Sequence, residues 1–434
     1  MIEMPHLFRL VNILAMSVVA WLIPLNMVAI FIWLERKGSA VIQDRTGPNR
    51  ASILGFRLFG MLHNISDTLK LIMKEDILPA KANRFAYYAA PAISMSVALL
   101  PLMLVPFAAP MPLLGETVRF AAADLSVGLL LLIAFSGLGV FGLFLAGWGS
   151  NNKLSMMGGL RSASQTISYE LAVGLAVVGL LLAYGTADLS VLVEAQGRLL
   201  TVAGRTIPIP AWGIFTQPVA FLLFLVGAFA ETNRNPFDLP EGESELVAGY
   251  HAEYSSMKFA LFFMAEYSHM AVASVVTATL FLGGYQVPFV STETLRAHPR
   301  EVLQALAFGM VVVGVALGPI FAYLGTRRAY DPGRRLELFA YAAAALGLAV
   351  GAFLFGWFIP NWNLPVWLPG PLTALVQFVC LLGKMLFFCW LFVWVRWTLP
   401  RFRFDQLMTL GWKILLPLGF LNVAVTAAWV VFAK

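Results

Sequence analysis

Apolar runs about as long as a membrane is thick dominate this chain. One of them, WGIFTQPVAFLLFLVGAFA, fills residues 212–230. At 1.5 Å of rise per residue, a helix of roughly 20 residues crosses a hydrocarbon core of about 30 Å. Ten such runs lie near 8–34, 85–107, 125–149, 166–184, 212–230, 257–283, 301–325, 337–359, 371–397 and 411–432. In lipid every backbone N–H and C=O must be paired within the chain, and uninterrupted apolar runs can do that only as helices. The composition agrees, since 60% of residues are hydrophobic and 12% charged, against about 25% charged in a soluble domain. The fold class expected is all-α, a polytopic transmembrane bundle of about ten spans with amphipathic helices in its cytoplasmic loops. The start of the chain has no basic n-region or small-residue cleavage site, so it reads as a first span and not a cleaved signal.

The basic residues orient the bundle. Most of the 29 Lys and Arg fall in the odd-numbered loops, among them Arg36, Lys37, Arg45, Lys153, Arg161, Arg327, Arg328, Arg334, Arg335, Arg401 and Arg403. The even loops and both ends hold Arg9, Arg119, Arg198, Arg205, Arg296, Arg300 and Lys434. The positive-inside rule then puts the odd loops in the cytoplasm and both termini outside. The net charge of +6 thus reflects topology and is no argument for nucleic acid. The two cysteines, Cys380 and Cys389, have no CxxC spacing and cannot form an iron–sulfur or zinc ligand set. GLGVFG (137–142) matches a dinucleotide fingerprint in letters only. It sits mid-span with no strand before it, so small-residue helix packing is the reading. Pro24, Pro91 and Pro101 are expected to kink their spans.

Three features carry chemistry. The first is the acidic loop ETNRNPFDLPEGESELVAGYHAEY, residues 231–254. Asp238, Pro240 and Glu241 read as an N-cap, first turn and capping box. Acids at a helix start complement its dipole, which accounts for two or three of the six. Helical spacing would put Glu241, Glu245 and Glu253 on one stripe, where like charges raise pKa values and share protons. A proton-handling cluster is therefore weighed above a solvated face. The second feature is charge inside spans: Glu170, Glu231, Glu266 and Lys384. Snorkelling accounts for Glu170 or Glu231 taken singly. Recurrence across four spans points to an ion pathway. The third is the first cytoplasmic loop. Leu58, Met61, Leu62, Ile65, Leu69 and Ile72 can line one face of an interfacial helix, with Asp67, Lys70 and Lys74 elsewhere.

The motifs ERKGSAVIQDRTGPNR, DTLKLIMKE, QTISYE, AETNRNPFDLPEGESELVAGYHAEY, FALFFMAEY and RWTLPRFRFDQLM together resemble the quinone-chamber membrane subunit of respiratory complex I, known as its H subunit. The resemblance runs in order over 8–285 and again over about 371–432. It implies a subunit of proton-pumping NADH:quinone oxidoreductase that forms the quinone cavity and couples quinone reduction to proton translocation. No redox cofactor is expected in this chain. Quinone is the substrate, and FMN and iron–sulfur clusters belong to partners. Those partners are peripheral-arm iron–sulfur and quinone-site subunits, small membrane subunits and antiporter-like subunits, within an inner (cytoplasmic) membrane. Carried over by motif, Glu35, Arg36, Lys37, Asp44, Arg45, Asp67 and Lys70 surround the quinone entrance. Arg234, Phe237 and Asp238 line the quinone side of the acidic loop, with Glu241, Glu243 and Glu245. Glu170, Glu231, Glu253 and Glu266 begin an acidic channel.

The chain departs from the family's eight spans at 298–360, which adds two more around GTRRAYDPGRRLE. The expected organisation is a quinone-chamber core over 1–297 with loops 35–84 and 231–257, the inserted pair 298–360, and two final spans over 361–434 with loop 398–410. A membrane anchor of an energy-converting hydrogenase or another-donor relative is the alternative. A stand-alone transporter is disfavoured by the lack of an inverted repeat.

Overall fold

The computed structural model describes residues 4–53, 55–113, 116–202, 205–327, 332–359, 365 and 367–432. Arg328, Lys434 and the side chains of Arg205, Glu243 and Arg334 lie outside the described residues. In chain order the helices are α1 (Met4–Ile42), α2 (Leu62–Met73), α3 (Arg84–Leu99), α4 (Gly128–Gly149), α5 (Lys153–Tyr184), α6 (Leu189–Gln196), α7 (Gly213–Thr216) and α8 (Pro218–Glu231). They continue as α9 (Glu243–Leu246), α10 (Ser256–Phe281), α11 (Thr292–Ala297), α12 (Pro299–Arg327), α13 (Pro332–Phe358), α14 (Pro369–Thr398), α15 (Phe404–Thr409) and α16 (Leu416–Phe432). Two short antiparallel hairpins, β1 (Met111–Leu113) with β2 (Glu116–Val118) and β3 (Leu199–Val202) with β4 (Arg205–Pro210), close the loops after α3 and α6.

Among the described residues nine helices are long and apolar enough to cross a membrane. The tenth expected run, 212–230, differs. It forms α7, a break at Gln217 (φ −138°, ψ 60°) and the 14-residue α8. Pro218 has no N–H to donate and starts a new helix. The Gln217 amide is occupied by tertiary partners, donating to Thr426 Oγ1 at 2.9 Å and accepting from Asn422 Nδ2 at 3.1 Å. Pro24 and Pro91 lie within continuous α1 and α3, while at Pro101 the second span passes into a 3₁₀ stretch, Leu100–Leu104.

The chain divides into two compact units. The larger comprises 1–31, 69–289 and 376–434; the smaller comprises 32–68 and 290–375. In the larger, α3, α4 and α5 pack through small residues. A Cβ on Gly142 would collide with Ser94 of α3, one on Gly147 with the Ser155 carbonyl of α5, and one on Gly137 with the Glu170 carboxylate. The GLGVFG run is thus a contact face between helices. In the smaller unit α12 and α13 form a hairpin, with Gly314 against the Ala345 carbonyl and Gly318 against Leu346.

Candidate functional site

The larger unit holds a polar site where helix ends meet the acidic loop. The loop is not the helix its sequence suggests. No helix starts at Asp238; among the described residues the only turn of α-helix in the loop is α9, which follows Gly242. Glu241, Glu245 and Glu253 therefore share no stripe. Gly249 explains why. It takes φ +59°, and a Cβ there would overlap the Pro240 carbonyl. The chain folds back on itself, and a continuous helix cannot do that.

The described acids consequently have separate partners. Glu245 pairs with Arg161 of α5 at 2.5 Å. The Glu253 carboxylate accepts from Asn152 Nδ2 at 2.5 Å. Asp238 pairs with Arg401 at 2.5 Å, in the loop after α14. That later loop holds the acidic loop in place. Phe402 N–H donates to the Pro236 carbonyl, Asn235 Nδ2 reaches the Arg396 and Leu399 carbonyls, and Phe237 is buried between the rings of Tyr169 and Phe402. Gln165 ties the loop to α5 by donating to the carbonyls of Ala230 and Phe237 at 2.7 and 2.8 Å.

The centre of the site is Arg234. It is 4% exposed, meets Glu266 of α10 at 2.8 Å, and lies over the Tyr267 ring at 4.0 Å. Burial raises the Glu241 carboxyl well above its usual range, with Glu266 and Asp238 adding like charge and Arg234 opposing. Burial also raises Asp238, against the pull of Arg401, and raises the Tyr250 phenol. His251, 3.3 Å from Glu241, is driven down to about 4 by burial. His251 is therefore neutral near pH 6, and burial favours the protonated form of the Glu241 carboxyl beside it.

Glu266, the partner of Arg234, also lines a cavity of about 50 Å³, room enough for a water molecule or more. Glu231, Asn233, Tyr250, Glu266, His269, Thr166, Ser94 and Ser136 line it, with an apolar remainder that includes Phe262 and Leu143. Glu231, at the end of α8, sits 3.3 Å from His269 Nε2. The cavity thus joins two carboxylates, an imidazole and a phenol, a set that can accept and release protons with little movement. Sequence reasoning missed His269 and noted Tyr250 only as an aromatic neighbour of the acids. A signal existed for His269: Phe262, Glu266 and His269 recur at four and three along α10, one face of a helix otherwise buried in the bundle.

Lys384 does not belong to this set. Its ammonium donates to the carbonyls of Leu282, Gly284 and Gln286 at 2.7, 2.8 and 2.6 Å, and lies over the Trp212 ring at 4.8 Å. It satisfies orphan carbonyls just beyond the C-terminus of α10, where a cation also complements the dipole. Among the described residues no carboxylate pairs with Lys384 there.

The smaller unit brings together a second group of the residues expected at the quinone entrance. Arg36 of α1 pairs with Asp67 of α2, and Lys37 Nζ donates to the Thr46 carbonyl at 3.0 Å. Arg45 Nε donates to Gln43 at 2.7 Å. Asp44 takes φ +50° just after α1, which also carries Glu35. Lys70 lies on the exposed side of α2, in the part of that helix assigned to the larger unit. The expected apolar stripe of α2 is present, with Ile65, Leu69 and Ile72 exposed; Leu58 stands outside it, in a tight positive-φ turn before the helix.

A model of the NADH dehydrogenase family matches residues 14–427. The chain belongs to this family. It is 42% identical over 399 residues to NADH-quinone oxidoreductase subunit 8 of Rhodothermus marinus, covering 92% of this chain and 91% of that one. It is 38% identical over 426 residues to the NADH-quinone oxidoreductase H subunit of Bdellovibrio bacteriovorus, covering 94% of each. Similarity to an NADH-quinone oxidoreductase H subunit of Solibacter usitatus is 41% over 405 residues and 92% of each chain. The matched shares are nearly equal on both sides, so these NADH dehydrogenase family members have similar lengths. A chain of eight spans and short loops would be shorter.

Proposed function

We propose that this membrane subunit of an NADH-quinone oxidoreductase forms part of the quinone cavity and couples quinone reduction to proton movement through its buried carboxylates. The observation that carries the reading is the continuous set Asp238, Glu241, Arg234, Glu266, cavity, Glu231, His269. It runs from a loop outside the spans to groups between them.

Quinone takes up two electrons and two protons to become quinol. The electrons come from clusters held by partner subunits, since this chain offers no redox group of its own in the proposed scheme. A negative charge arriving near Asp238 and Glu241 raises their proton affinity. Arg234 then has a second anion to satisfy and loosens its hold on Glu266, which in turn takes a proton from Glu231 or His269 by way of cavity water. Arg36 and Lys37 give the headgroup a cationic approach, with Asp67 holding the Arg36 guanidinium in place. Odd loops and this site face the cytoplasm, and both termini face outward.

Glu231→Gln tests the coupling in the assembled complex. Quinone-linked proton pumping is expected to fall at least about ten-fold while electron transfer from NADH to an artificial water-soluble acceptor persists. Unchanged pumping would sink the reading. Arg36→Ala is expected to raise the apparent KM for a short-tailed quinone several-fold, and an unchanged KM would remove Arg36 from the entrance.

A further inference from the structure

The α12–α13 helix pair has no role in the scheme above. Yet α12 and α13 share one compact unit with residues 32–68, which contain the loop assigned to the quinone mouth. The contacts are specific. Glu337, near the start of α13, is 5% exposed. Its carboxylate accepts the Arg57 backbone N–H at 3.3 Å and the Tyr341 hydroxyl at 2.7 Å. The Tyr341 ring stacks on Phe59, centroids 4.6 Å apart and planes 20° apart, and Phe321 of α12 lies 5.7 Å from Phe59 on a tilted plane. From the other side Trp33 of α1 donates its indole N–H to the Phe59 carbonyl at 2.9 Å.

The held segment needs holding. Leu58 and Phe59 take φ +44° and +54°, a conformation that side-chain-bearing residues keep only when their surroundings impose it. Gly60 follows at φ +91°, tight against the Pro48 carbonyl. A loop in its own preferred shape would not need a buried carboxylate, two rings and an indole to define it.

We infer that the α12–α13 hairpin is a brace for residues 55–61, with Glu337 as its positioning residue, and that it thereby sets the shape of the quinone mouth. The inference rests on the proposed placement of that loop at the mouth. A buried carboxylate at this point of an apolar helix pair makes no other described hydrogen bond. Its distance from the acidic loop in sequence explains why no motif reports it.

The test is Glu337→Ala in the full complex, purified in lipid nanodiscs, with backbone hydrogen exchange followed over residues 55–61. Exchange there is expected to quicken roughly ten-fold or more, the loss of a hydrogen bond to a charged group. KM for a short-tailed quinone should rise several-fold with kcat little changed. Glu337→Gln keeps an acceptor oxygen and is expected to restore both. If the alanine variant does not assemble, Tyr341→Phe removes one hydrogen bond, keeps the stacked ring, and should show the same changes at a smaller factor. Unchanged exchange in these variants overturns the brace. Faster exchange with an unchanged KM bears out the brace and overturns the placement of this loop at the mouth.

Discussion

Buried ionisable side chains decide most of what this chain can do, and Arg234 is the clearest case. Arg234→Met leaves the Glu266 carboxylate in the bundle without its cation and should cost about 3–5 kcal/mol. Arg234→Met combined with Glu266→Leu removes both charges and should recover most of that loss; thermal unfolding in nanodiscs distinguishes the two variants. His251 gives a pH signature. Its folded pKa of about 4 lies below the ordinary 6.5, so an unfolded loop binds a proton where the folded one does not. The contribution is intact above pH 6.5 and is lost as pH falls toward 4, by roughly 3 kcal/mol in total. Protection factors of residues 247–254, which divide out the intrinsic pH dependence of exchange, should therefore fall as pH drops across that window, and His251→Phe should flatten the dependence. Lys384→Met leaves three carbonyls short of a donor and should loosen the end of α10 by about 1–3 kcal/mol. Proton pumping should then survive, since no carboxylate pairs with Lys384 in the described site.

Elements here are shaped by backbone exceptions more than by propensity. The acidic loop has good helix formers at Glu241, Glu243, Glu245 and Leu246, yet only one turn forms. Gly249 at φ +59° against the Pro240 carbonyl folds the chain back. Gly249→Ala should destabilise the loop by about 1–3 kcal/mol from the backbone alone, with the steric overlap in addition. Protease cleavage within 241–254 of the purified complex would report it. In α8 the exception is Pro218 after Gln217. The resulting helix is roughly 21 Å long, shorter than the hydrocarbon core, and the Gln217 amide satisfies side chains of α16 at the break.

At the scale of the whole molecule, the question is whether α7 and α8 still count as one crossing. Single cysteines placed at Asn151, Ala187 and Pro400, in a background without Cys380 and Cys389, answer it. Asn151 and Pro400 should react with an impermeant maleimide from the cytoplasmic side and Ala187 from the other. Asn151 and Pro400 on opposite sides would mean that one expected span does not cross. The number of apolar runs, the helical class and the family were all legible in the sequence, because lipid permits one solution to a long apolar run and because the acidic loop is an unusual string of residues. Arg36 with Asp67, and the membership of Glu231 and Glu266 in one site, were also within reach, since motif and hydropathy mark them. Tertiary structure alone decided which acid meets which base. Arg161, Arg401 and Asn152 reach the acidic loop from elements 84, 163 and 101 residues away along the chain. Ion pairs and hydrogen bonds act over a few ångströms between side chains that folding brings together, and sequence spacing carries no trace of such distances beyond a single helix. The same reason kept His269 hidden beside Glu231, and Glu337 beside Arg57, until the helices were packed.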